Sequence, residues 1–106
     1  MPYCMRNLYA HIVRCGMEFE WDERKRAQIV AERALDFVDA YRFFDGRPAS
    51  HQPTPRADEE RWKTTAIIED EHFTLVWCWR AEKVRVITMR RAHEKEIRAY
   101  RQLHGG

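Results

Sequence analysis

The stretch RWKTTAIIEDEHFTLVWCWRAEKVRVITMRR, residues 61–91, decides the fold. From Arg61 to Glu69 the side chains alternate, with Trp62, Thr64, Ala66 and Ile68 on one side, the period of a strand. A turn at Asp70-Glu71 leads into His72–Arg80. There Phe73, Leu75, Trp77 and Trp79 share a face, while Val76 and Cys78 line the other. Apolar residues on both faces mark a central strand. Ala81-Glu82 turns the chain into a third strand, Lys83–Met89, with Val84 and Val86 opposite Ile87 and Met89. Connections this short join only antiparallel neighbours.

Upstream, Met17–Trp21 alternates like a short strand. Asp22 suits an N-cap, because its carboxylate can accept a free N–H of the first helical turn. The helix that follows spans roughly 23–33, with Ala27, Ile29, Val30 and Ala34 as its apolar stripe. Asp36 caps a second short helix through Phe43, with Phe37, Ala40, Tyr41 and Phe44 at helical spacing. Residues 45–59, DGRPASHQPTPRADE, contain three prolines and a glycine and read as a loop. Downstream, a helix over about 92–104 aligns His93, Ile97, Tyr100 and His104. The expected fold is α+β: an antiparallel sheet of about four strands with two N-terminal helices and one C-terminal helix. Residues 17–106 form its single domain. Residues 1–16 stand apart as an N-terminal extension, disordered or an edge strand over Leu8–Val13, and a chain starting at Met17 is expected to melt at the same temperature.

Charge narrows the partners. The net charge of +2 hides an asymmetry: residues 1–60 hold 9 basic and 11 acidic side chains, residues 61–106 hold 10 and 6. A basic half on a near-neutral protein makes an anion-seeking face, suited to RNA or an acidic protein. Its focus is residues 83–101, where Arg90 and Arg91 arrive at a helix start. The helix dipole gives cations no reward there, whereas phosphate would, through guanidinium forks and free helix N–H groups. Cys4, Cys15 and Cys78 are odd in number and lack a CxxC pair, so neither a disulfide framework nor a metal site is indicated. No apolar run approaches the roughly 20 residues needed to cross a bilayer, and no signal core is evident, so a cytoplasmic location is expected.

With these elements placed, Met17-Glu18-Phe19-Glu20-Trp21-Asp22, Lys25, Asp36-Phe37-Val38-Asp39-Ala40 and Phe43-Phe44-Asp45 resemble the opening of BrnT-type toxins. Glu59-Glu60-Arg61-Trp62 continues the likeness, and Val84–Ala92 with Glu96 and Tyr100 closes it. BrnT proteins are small ribonucleases of bacterial type II toxin–antitoxin modules with a RelE-like fold. The resemblance implies RNA as substrate and a BrnA-like antitoxin as partner, in a complex (a heterotetramer is one form) that binds promoter DNA through the antitoxin. Two departures stand out. Where the family has an Asn in its first helix this chain has Ile29, and where it ends that helix with Lys-His-Gly this chain has Glu32-Arg33-Ala34. An arginine cannot give up its proton near neutral pH. Ala34 lacks glycine's easy left-handed geometry, so the helix is expected to run straighter into the next.

Metal-independent RNA cleavage needs a base for the 2′-hydroxyl, cations for the phosphorane and an acid for the leaving oxygen. The expected catalytic residues are Glu60, Arg61, Arg90 and His93. Glu60 is the base candidate, the arginines are the cations, and His93 suits proton exchange with its natural pKa near ~6.5. Lys25, Arg33, Arg85, Arg91 and Tyr100 are the expected RNA contacts. No cofactor or metal is called for. Two other readings stay open: a catalytically impaired homologue that binds antitoxin or RNA, and an interaction module with no nucleic-acid role.

Overall fold

A computed structural model describes residues 17–105, so the N-terminal extension lies outside the described residues. Five strands form one sheet: β1 (Phe19–Glu20), β2 (Ala49–Pro53), β3 (Trp62–Ile68), β4 (Glu71–Arg80) and β5 (Lys83–Arg91). Their order is β1-β5-β4-β3-β2. β4 is the middle strand, as its two apolar faces required. β1 runs parallel to β5 and the other pairs are antiparallel, so the sheet is mixed rather than purely antiparallel.

The fifth strand is β2, inside the segment expected to be a loop. Ala49–Pro53 pairs with Trp62–Ala66, and a tight turn at Arg56–Glu59 completes a long hairpin. Prolines are tolerated because β2 is an edge strand. The β3–β4 and β4–β5 turns are Glu69-Asp70 and Ala81-Glu82, all four residues with positive φ. Paired left-handed residues match the twist of a two-residue hairpin. The first turn therefore lies one residue earlier than its sequence indicates.

Helix α1 (Glu23–Arg33) begins at Asp22, whose side chain accepts from the N–H groups of Arg24 and Lys25. It buries only Ile29, and Val30 from the expected stripe is 41% exposed. Ala34 does adopt the left-handed C-cap, at φ 58°, against expectation, and its N–H bonds Val30 O. The chain then turns sharply. Arg26 grips Asp36 with Nε and Nη2 at 2.7 and 3.1 Å across that turn. The next helix, Phe37–Phe44, is 3-10 rather than α. Three residues per turn explains why Phe37, Ala40 and Phe43 are buried while Tyr41 is 40% exposed.

These residues pack with Leu75, Trp77, Val84, Val86 and Met89 against one face of the sheet. Met89 shares that face with the two valines because a β-bulge interrupts β4–β5 pairing: Trp77 faces Val86, but Val76 faces Thr88. Ile87 is the extra residue. Helix α2 (Glu94–His104) covers the other face, with Tyr100 edge-on to His72 and His104 Nε2 within 2.9 Å of Ala49 O. Among the described residues no helix is long and apolar enough to cross a membrane.

Candidate phosphate-binding groove

Pairing across three strands puts two rows of side chains on the α2 face. Lys63, Val76 and Thr88 form one row; Thr65, Thr74 and Arg90 form the next. Without the bulge at Ile87, Arg90 would face Phe73 and point into the aromatic core. The extra residue re-aims it, a known use of bulges beside functional sites.

The first row floors a groove of about 460 Å³, walled by α1, the β2–β3 hairpin and the start of α2. Six cationic side chains line it, Lys25, Arg33, Arg56, Arg61, Lys63 and Arg90, against two carboxylates, Glu32 and Glu96. His93 stands at its rim. Five expected site residues are thus brought together: Lys25, Arg33, Arg61, Arg90 and His93. The other four lie outside. Glu60 is exposed beyond the groove. Arg85 pairs with Glu20 at 3.5 Å, and Arg91 pairs with Glu71 at 2.5 Å on the opposite side of the strand from Arg90. Tyr100 is 6% exposed, packed between His72 and His104.

Each central arginine has an acidic partner. Arg61 Nε donates to Glu59 at 2.7 Å, and this guanidinium holds the Glu59 carboxyl below its usual range. The second oxygen of Glu59 receives Arg80 and the Cys78 thiol, and burial pushes that thiol's pKa up. Arg90 makes a two-pronged bond to Glu96, at 2.8 and 2.9 Å. Glu96 is 2% exposed and also accepts from Thr74 Oγ1, the His93 N–H and Lys63 Nζ. Burial alone would raise its pKa. The Arg90 guanidinium, the His93 N–H and the Thr74 hydroxyl overcome that and hold it far below the carboxylate range.

Arg33 donates through Nη1 to Thr88 Oγ1 and Met89 O. It caps the edge of β5 beyond the short reach of β1, a structural duty sequence reasoning missed. Glu96, Lys63 and Arg56 were missed as groove residues. A Glu at the third position of a helix is a capping signal, and Lys63 alternates with Trp62 and Thr64, so both left a trace in the sequence. Among the described residues no three His, Cys, Asp or Glu side chains cluster as metal ligands.

A cation-lined groove across a small α+β sheet is chemically suited to an anionic ligand. The family model for "Ribonuclease toxin, BrnT, of type II toxin-antitoxin system" matches residues 21–96, and the chain belongs to that family. A comparison with curated proteins found no match. The match begins at Trp21, before the cap of α1, and ends at Glu96, so it contains every groove-lining residue. Membership brings an RNA substrate and an antitoxin partner.

Proposed function

We propose that this ribonuclease toxin cleaves RNA in the groove without a metal ion, using Arg61 and Arg90 to stabilise the phosphorane. The carrying observation is that these two arginines, from opposite ends of the three-strand segment, line one groove with Lys25, Arg33 and Lys63. Their acid partners do not spend all their donors. Arg90 gives two N–H groups to Glu96 and one to Arg91 O, keeping two of its five for a ligand. Glu59 is 37% exposed, so phosphate can displace it from Arg61 at small cost. His93 is our acid–base candidate, because it is exposed at the rim and an imidazole can both give and take a proton. Glu60 lies outside the groove, so a base role for it requires the 56–61 hairpin to move. Lys25 and Arg33 are proposed to hold flanking phosphates, whereas Arg85, Arg91 and Tyr100 would contact RNA only beyond the groove. A BrnA-like antitoxin would neutralise the protein by laying carboxylates along these cations, in an assembly that binds promoter DNA through the antitoxin.

A second reading keeps the groove and drops the chemistry. Arg33 stands where the family has a proton-transferring histidine and is occupied as a strand cap, which favours an RNA- or antitoxin-binding homologue. Incubating purified protein with RNA in the presence of a chelator separates the two. Cleavage with new 5′-hydroxyl ends is expected, and Arg61→Ala should slow it by about 10²-fold or more, the usual loss for one transition-state donor. Binding without new ends would establish the second reading; an unchanged rate in Arg61→Ala would remove that arginine from the chemistry.

A further inference from the structure

We propose that Glu96 is a positioning residue that gathers Lys63 and Arg90 into one phosphate claw, and that Lys63 is a further RNA-contacting cation. The inference rests on the RNA-binding part of the reading above. Lys63 and Arg90 stand on β3 and β5 with β4 between them and two residues apart along the strands, so their Cα atoms are separated by roughly 12 Å. Two like charges on long side chains repel and should splay apart. Here both bond the same oxygen, Glu96 Oε2, at 3.2 and 2.9 Å, so Lys63 Nζ and Arg90 Nη2 lie no more than about 6 Å apart. That gap suits one phosphate bridging both.

Capping α2 does not account for this arrangement. A capping Glu needs only the His93 N–H and normally stays solvated. Glu96 is instead 2% exposed and fixed from below by Thr74 Oγ1 at 3.0 Å, itself bonded to Thr65 Oγ1 at 2.9 Å. Removing a carboxylate from water costs several kcal/mol and is tolerated only with excellent partners. Two cations on one anion leave the cluster with one surplus positive charge. Lys63 and Arg90 both keep N–H donors unused by Glu96, and both line the groove.

The test uses a non-cleavable 2′-O-methyl RNA, so binding is read apart from cleavage. Electrostatics alone says that Glu96→Gln, which removes a negative charge, strengthens anion binding. Loss of the claw says the reverse. The full chain carrying Glu96→Gln, held well below its melting temperature, should bind about tenfold more weakly. Equal or tighter binding would overturn the positioning role, since a purely structural Glu96 leaves the folded protein's cations in place. Should that variant fail to fold, Lys63→Ala decides. It should weaken binding about tenfold and lessen the salt slope by about 0.7, the value for one contact on a single strand. Unchanged affinity and slope would refute the claw. A wild type that binds RNA but cleaves none defeats the nuclease chemistry and leaves this binding test intact.

Discussion

Replacing Ala34 by glycine should stabilise the protein, although it adds no contact. Ala34 ends α1 at φ 58°, ψ 30°, with its N–H bonded to Val30 O at 3.0 Å. Its methyl group is exposed, so removing it sacrifices little packing. An L-residue in the left-handed region carries about 1–2 kcal/mol of steric cost. Glycine removes that cost but enlarges the unfolded ensemble, returning about 0.4–1 kcal/mol. The balance is a gain of roughly 0.5–1 kcal/mol. For a domain near this size, that raises the melting temperature by about 3–5 °C. Paired urea and thermal melts of wild type and Ala34→Gly read it directly. A loss of stability would show that α1 does not end in a left-handed residue, and the sharp turn that brings Arg33 to β5 would lose its support.

The 3-10 register separates two neighbours: Phe43→Ala should cost about 3–5 kcal/mol and Tyr41→Ala less than about 1, by chemical denaturation, whereas an α-helix would reverse the order. Glu96 links stability to pH. Its folded pKa lies below the unfolded one, so its contribution is complete above the unfolded value of about 4.3 and is lost as pH falls. The stability gap between wild type and Glu96→Gln should therefore be flat above about pH 5 and shrink by up to about 1.4 kcal/mol per pH unit below about pH 4; a gap constant to pH 3 refutes it. Arg33→His restores an acid–base group at the family position and should speed RNA cleavage about tenfold or more while costing about 1 kcal/mol from the lost cap on Met89 O. No acceleration would mean that position 33 takes no part in proton transfer.

What the sequence shows plainly is whatever local pattern controls. Alternation delivered β3, β4 and β5 and the central place of β4, and the two aspartates marked both N-terminal helix starts. β2 was hidden because Ala49-Ser50-His51-Gln52-Pro53 has no alternation and is set between prolines. Its pairing comes from the neighbour, where His51 Nδ1 meets Thr64 Oγ1 at 2.8 Å and stacks on Phe44. The second helix carried apolar residues at spacings of three and four together. Only packing of Phe37, Ala40 and Phe43 on the sheet selects the tighter period. The left-handed Ala34 was misjudged from propensity alone, since the Arg26–Asp36 bond and the burial of Phe37 together outweigh about 1–2 kcal/mol of strain.

The groove was half legible for one physical reason: charge is visible in a sequence, but direction is not. Strict alternation along β5 would set Arg90 beside Val84 and Val86, buried against Leu75 and Phe73, where an unpaired guanidinium cannot remain. Met89 carries the clue. An apolar residue at an odd interval from Val86, followed by an arginine at an even one, cannot satisfy both faces of a regular strand. One inserted residue resolves the conflict by sending Met89 into the core and Arg90 to Thr74. Once Arg90 is on that face, a buried acid becomes tolerable there. Glu96, which closes the first turn of α2, supplies it without leaving the helix. The bulge, the cap and the cation cluster are therefore one device. Deleting Ile87 removes the extra residue itself and leaves Met89 opposite Leu75 and Arg90 opposite Thr74. The shortened chain should therefore still fold and bind RNA in melting and binding assays, and loss of both would show that the bulge does more than aim Arg90.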